Sequence, residues 1–556
     1  MKRRNILIMA ILAASTTHAQ VDIGKGLSVT GSIQSDMLVP TGKQTDGSNK
    51  DFRTNTYANV TVTGKHLEAG ARVEYLEHPL PGFETDNNGF SGWGLANIYL
   101  KYHTKDYEVT LGNFYEQFGS GFIFRTYEER SLGIDNSLMG CRIVMRPVNG
   151  VQVKALSGVQ RRYWNYNDDA LISGADLELC FDQWIRSLCD KGVKLTLGGS
   201  WVNRHDGSND EIFADATHQL NFPENVNAFD VRTSFQKGGL HLLAEYAWKS
   251  QDPSFLNNYI YRKGYVGMLS ASYSKKGLSM LLQAKRSDNF SFFSSRTESF
   301  TAASAINHLP AFTEDHTYAL AALYPYSTNK NGEWAYQAQL GYNFKRRTTI
   351  GGKYGMNVKV NFSHVHSISH NPKGVADIPD IAPGGIGTNG YGSAFWKWGK
   401  QTFYQDMNVQ IERRITKGFK LNLMYMNQFY NKTAIEGEGG MIHSNIFIAD
   451  GLFSINPKTK LHVEAQYLTT GEDDGDWAFG LAELSLAPHW MIMVSDMYNC
   501  GATNEHYWQT YLTYNIKAHR IQLGWGRTRA GYNCSGGVCR YIPQTKGFTL
   551  SYIYNF

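Results

Sequence analysis

The chain has 556 residues, with 54 Lys and Arg against 49 Asp and Glu. So even a balance argues against the clustered basic surface that a nucleic-acid partner needs, and beyond residue 19 no apolar run approaches the roughly 20 residues of a membrane-spanning helix. Yet 29 Phe, 33 Tyr and 12 Trp are present. That combination, polar on average but rich in aromatics, fits strands that offer lipid only every second side chain.

The chain opens on Lys2-Arg3-Arg4, the apolar run Ile6–Ala14, then Thr17-His18-Ala19. A basic start, a stretch too short to cross a bilayer and a small-residue cleavage site form a secretory signal peptide, residues 1–19. Cleavage before Gln20 lowers the basic count from 54 to 51 against 49 acids. No Cys follows the cut, which argues against lipoprotein processing. Residues 20–556 hold no Pro/Ser linker, charge block or low-complexity stretch, so they read as one unit.

The first strand, near Leu27–Leu38, starts too soon to leave room for a soluble plug domain, which argues against a plugged, energy-coupled receptor. Alternation is plainest at residues 334–345, where Trp334, Tyr336, Ala338, Leu340, Tyr342 and Phe344 share one face. Residues 356–363 and 461–467 repeat it. The expected fold is all-β: a single transmembrane antiparallel β-barrel. A charge turned toward lipid near mid-bilayer costs about 2–4 kcal/mol, so Glu245, Lys359, Glu412 and Glu464 are expected to face the lumen.

Short links at residues 64–66, 104–106, 147–150, 237–239, 275–277, 416–418, 457–459 and 487–489 alternate with longer ones. The long ones fall near residues 77–91, 116–138, 203–226, 250–261, 367–401, 431–442 and 530–546. Short periplasmic turns and long extracellular loops are the two ends of a bacterial barrel. Keeping this alternation requires a strand near Phe300–Leu309, with a turn at Pro310, for about 26 strands in an expected range of 22–26.

The chain ends on an alternating strand in which Phe548, Leu550, Tyr552, Tyr554 and Phe556 share a side. An aromatic strand ending on Phe resembles the membrane-insertion signal of outer-membrane barrels, which their assembly machinery recognises.

Six cysteines stand at positions 141, 180, 189, 500, 534 and 539. In an exported chain, Cys534–Cys539 and Cys180–Cys189 are the disulfide candidates, with free thiols the alternative. His364 and His366 share a strand face, and residues 469–477 crowd four acids into one loop. Neither spacing makes a dedicated metal site, and no metal or cofactor is expected. The loop at 116–138 begins with an unusually apolar, glycine-bearing run. Folding inward, it would narrow a wide lumen and bring Arg125, Glu128, Glu129 and Arg130 to the pore. No nucleophile elbow, zinc-protease helix or phosphate loop occurs, so no catalytic residue is assigned.

Residues 112–121, 133–138 and 351–355, Gly475-Asp476-Trp477 and 534–540 together resemble a family of large, uncharacterised outer-membrane barrels of Bacteroidota. The resemblance spans the mature chain and implies fold and location without an activity. The expected function is porin-like passage or binding of solutes past an inward-folded loop; the alternative is a non-conducting subunit or scaffold of a larger outer-membrane assembly. Expected partners are outer-membrane lipids and lipopolysaccharide, the barrel-assembly machinery and such an assembly, with no nucleic acid.

Overall fold

The computed structural model describes residues 21–24, 26–41, 52–81, 83, 91–208, 210–297, 304–372 and 385–556. The signal segment lies outside them. Among the described residues, 24 strands close into one antiparallel barrel. They begin β1 (Leu27–Pro40), β2 (Arg53–Thr63), β3 (Leu67–Glu77), β4 (Gly92–His103), β5 (Tyr107–Phe114), β6 (Leu138–Met145), β7 (Val151–Arg162) and β8 (Asn165–Cys180). Next come β9 (Val193–Asp206), β10 (Asn225–Lys237), β11 (Leu240–Lys249), β12 (Gly264–Lys275), β13 (Leu278–Asp288), β14 (Gly332–Phe344), β15 (Met356–Ile368) and β16 (Trp398–Arg414). The last are β17 (Phe419–Asn431), β18 (Met441–Asn456), β19 (Thr459–Thr469), β20 (Trp477–Leu486), β21 (Trp490–Asn499), β22 (His506–Ile516), β23 (His519–Arg527) and β24 (Lys546–Asn555). Each pairs with the next, and β24 returns to β1 in the register Ser32↔Asn555 to Pro40↔Gly547. Closure gives the backbone of both end strands partners, which an open edge in lipid would lack.

Phe556 extends that seam. Its N–H donates to the Gly31 carbonyl (2.9 Å) and its carbonyl accepts from Gly31 N–H (2.8 Å). The ring lies where a Cβ on residue 31 would stand, so glycine is required there by space rather than by backbone angle. Phe548, Leu550, Tyr552 and Tyr554 alternate with Thr549, Ser551 and Ile553, and Phe548 stacks on Trp525 of β23.

Two expectations about the strands need correction. The strand placed near Phe300–Leu309 does not exist over its described part: residues 304–309 form an irregular segment with a single bridge, Phe293↔Ala305. The described strands of the barrel number 24, an even count within the expected range of 22–26. Residues 289–297 and 304–331 contribute no strand to the barrel, and the expected strand rested only on keeping short and long links in alternation. Second, link length marks the two ends imperfectly. Two residues, Tyr163 and Trp164, join β7 to β8 on the long-loop side, while residues 345–355 join β14 to β15 on the other.

The outward face is apolar: Leu100, Leu111, Leu269, Leu282, Leu340, Leu423 and Leu523 are all exposed. The inward face carries most of the strands' charge, and the buried apolar cluster lies inside the barrel, built by loops.

Candidate functional site in the lumen

Two loops fill the outer half of the lumen. Residues 115–137 enter first, and their tip reverses at Gly119 (φ 53°) and Gly121 (φ 94°), backbone angles that favour glycine. Ser120 donates to Glu245 of β11 from its N–H (3.0 Å) and from its hydroxyl (2.5 Å), which pins the tip to the far wall. Residues 289–297 and 304–331 then pack across it. Arg125 N–H donates to the Ile306 carbonyl (2.8 Å), His308 N–H to that of Gly121 (2.9 Å), and the Asn307 amide to that of Phe122 (2.9 Å). Phe118, Phe122, Ile123, Phe124, Phe290, Phe292, Ile306 and Phe312 thereby bury one another.

The wall grips this plug through its charges. Arg72 and Arg161 bind Glu74 (3.0 and 2.9 Å) and both reach Asp135; Arg72 also binds Glu128 (2.9 Å). Arg130 binds Glu128 (2.6 Å) and donates to Gln34 of β1 (2.9 Å). In the second loop Glu314 pairs with Lys359 and accepts from Asn408 (3.1 Å), and His316 meets Asp406 (2.8 Å). Further on, Tyr318 donates to Asp450 (2.9 Å) and Tyr324 to Asp473 (3.0 Å). Buried charges persist only when paired in this way, and removing one partner strands the other. Among the described residues, His308 has no acidic partner. Burial, with Arg125 and Lys285 nearby, drives its imidazole pKa down to about 3.

These contacts revise the role expected for the pore-lining candidates. The structure places Glu245, Lys359, Glu412 and Glu464 on the inner wall, and Arg125, Glu128, Glu129 and Arg130 in the infolded loop. Glu245, Glu128, Arg130 and Lys359 hold the plug. The Arg125 guanidinium lies over the Tyr127 ring (4.6 Å), and Glu129 accepts from Ser131 N–H (3.1 Å) at the start of a short 3₁₀ turn. Glu412 pairs with Lys420 (2.8 Å) near the end of the barrel opposite the plug and stays open to water. Glu464 bonds Gln466 and, with Asp450 and His462, forms a cluster whose ligand atoms lie within 4.8 Å of one another. Sequence reading missed that cluster because its members sit on two strands, joined only by the register Asp450↔Glu464.

Below the plug the lumen opens. Along β14, Glu333 and Ala335 are buried, Gln337 and Gln339 half-buried and Asn343 exposed; on β18 Ser444 and Ile448 are buried, whereas Ser454 and Asn456 are exposed. The arc from β22 through β24 to β1 is different. On β20, β21 and β1 the inward residues nearest the outer end, Trp477, Asn499 and Leu38, are buried, but Gln509, Tyr511, Gln522, Thr549 and Ser551, with Asp36, stay half-exposed. A cavity of about 550 Å³ lies at the outer end of this arc, lined by Asp36, Leu38, Leu80, Tyr511, Gln522 and Ser551. The loop above it, residues 528–545, carries the Cys534–Cys539 disulfide.

Cys180 and Cys189 are both free thiols, contrary to expectation. Cys180 ends β8 facing the Thr196 hydroxyl, while a 3₁₀ turn and the short helix Arg186–Asp190 carry Cys189 to an exposed position. His364 and His366 lie on the outer wall against Trp398. The acids of residues 469–477 diverge: Asp473 pairs with Lys432 (2.7 Å), and Asp476 accepts from Tyr467 (2.6 Å).

The chain belongs to the DUF6029 family, a family of unknown function whose model matches residues 1–556. Among solved structures it is similar to the siderophore receptor PirA of Pseudomonas aeruginosa (11% identity, 95% of this chain and 80% of that chain, TM-score 0.43). It is also similar to the translocation pore of the P pilus usher PapC (12%, 95% and 99%, TM-score 0.45) and to OccAB3 of Acinetobacter baumannii (9%, 95% and 99%, TM-score 0.35). No curated protein matches the chain.

Proposed function

We propose that this protein is an exported outer-membrane barrel that passes or binds small solutes along an off-centre route, without chemistry of its own. The outward belt of Leu, Val and aromatic side chains suits a bilayer, and the inward charges suit water. One observation carries the reading. The inner side chains Gln509, Tyr511, Gln522, Thr549 and Ser551 of β22–β24, with Asp36 of β1, stay part-exposed, while their counterparts across the lumen are buried under the plug. The route is therefore the gap between plug and wall. Its lining of Gln, Ser, Thr and Tyr offers weak hydrogen bonding and few fixed charges, which favours small polar or amphipathic solutes over strongly charged ones.

The buried apolar plug supports a second reading, a sealed barrel acting as a subunit of an outer-membrane assembly. Single-channel recording in planar bilayers separates the two. Ser551→Trp and Gln509→Trp should each lower unit conductance at least twofold, whereas Gln337→Trp, across the lumen, should leave it unchanged. A bilayer that stays silent with folded wild-type barrel refutes the route and favours the sealed subunit.

A further inference from the structure

One stretch of the outward face departs from the rule that keeps charge off it. Arg286 and Asp288 of β13 occupy outward positions, opposite Gly267 and Tyr265 of β12, where neighbouring outward residues are Leu282 and Ala284. Asp288 is taken up by Arg262 (2.8 Å) and by the Tyr391 hydroxyl (2.9 Å). Arg286 is 1% exposed and lies 3.4 Å from that shared carboxylate; its Nη2 donates to Ser393 (2.7 Å). Among the described residues, its Nε–H and Nη1–H have no hydrogen-bond partner. Two guanidinium groups thus share one carboxylate, and the excess positive charge sits among the rings of Tyr265, Phe395 and Trp334, at 5.0, 5.0 and 5.9 Å.

Those rings belong partly to a flap. The outer end of the loop between β15 and β16 folds down over the outside of the wall, where Phe395 stacks on Tyr265 and Trp396 lies across Trp334. Trp396 is 82% exposed at its edge. Beneath the flap the wall is hollowed by small residues, Ala244, Gly267 and Ala284, into a depression of about 560 Å³ that Arg286 lines. Thr233, Ala244, Leu269, Ala284 and Tyr336 also line an adjoining apolar hollow of about 660 Å³, which continues it toward mid-wall.

From this we infer that the outer wall of β10–β14 carries a binding groove for an anionic membrane lipid, with an acyl chain along the hollows and the phosphate at Arg286. The inference rests on the membrane reading above. An apolar trough with one cationic, under-bonded end is complementary to a long apolar tail with one anionic end. Aromatic rings at that end match the interface where headgroups lie, and a partly bonded guanidinium in low dielectric attracts phosphate strongly. A partner helix would fill the trough but would bring no fixed anion to Arg286.

Native mass spectrometry of the full-length barrel in detergent, with dioleoyl phosphatidylglycerol or dioleoyl phosphatidylcholine added, tests this. Wild type should retain the anionic lipid at least tenfold better than the zwitterionic one. Arg286→Gln should abolish that preference, Ala284→Trp should abolish retention of both, and Trp396→Ala, at an exposed position, should weaken retention without threatening the fold. Equal retention of the two lipids by wild type, unchanged preference in the Gln variant, or a dimer with no lipid adduct overturns the proposal. Because Arg286 lies outside the lumen, its substitution should leave conductance intact. A chain that stays folded and monodisperse without detergent would instead refute the membrane reading itself.

Discussion

Glu245 shows what inward charge does in this protein. Period-two alternation on β11 sets it facing inward, but its neighbour in space, Ser120, is 125 residues away in sequence. Alternation therefore reveals the side and not the partner, which is why a strut was read as a pore-lining charge. Glu245→Ala removes the acceptor for two donors at the loop tip and leaves Ser120 N–H buried, a loss of about 1–3 kcal/mol. The expected result is faster proteolysis within residues 116–138 of the folded barrel, with wild-type strand content by circular dichroism. His308 gives the plug a pH limit. Its folded pKa of about 3 lies below the ordinary value of 6.5, so the folded state resists protonation. That stability is present above pH 6.5 and is lost as pH falls toward 3. Loosening of the plug, read as rising conductance or cleavage between pH 6 and 4, should be blunted in His308→Gln, which takes no proton.

At the scale of elements, most strands and their links were legible because lipid on one side and water on the other enforce a strict period of two. The loop from Asn289 to Asn331 was not legible. The alternation of short and long links demanded a strand near Phe300–Leu309, whereas Phe290, Phe292 and Ile306 pack with Phe122 inside the lumen and not against lipid. The outer-wall site at Arg286 was hidden for the opposite reason, since a charge at an outward position reads as an error of register until the flap above it is seen. Deleting Phe118–Arg130 removes Phe118, Phe122, Ile123 and Phe124 from the plug's apolar cluster while leaving β5 and β6 intact, so it should raise unit conductance severalfold in a barrel that still shows heat-modifiable migration; unchanged conductance would clear this loop of any blocking role. The terminal strand makes a separate test. Leu550→Asp puts a charge on the outward face at about 2–4 kcal/mol, and deletion of Phe556 removes the last pairing with Gly31. Both should reduce folded barrel in membrane fractions, and normal amounts of both variants would count against β24 as the closing membrane strand.

Across the whole molecule, the wall and the plug are parts of one cooperative structure. Ion pairs run from β3, β7, β9, β11, β15 and β16 into loops or their flanks, so loss of plug packing exposes charges on many strands at once. The loop from Asn289 to Asn331 is also anchored to strands made both before and after it. Phe122 and Gly121 lie upstream, while Asp406, Asp450 and Gln466 lie downstream. Its final position cannot be reached until β19 has joined the sheet. The interior is thus completed late in biogenesis, after most of the wall exists, and a barrel arrested before that point would be a wide leak in the membrane that holds it.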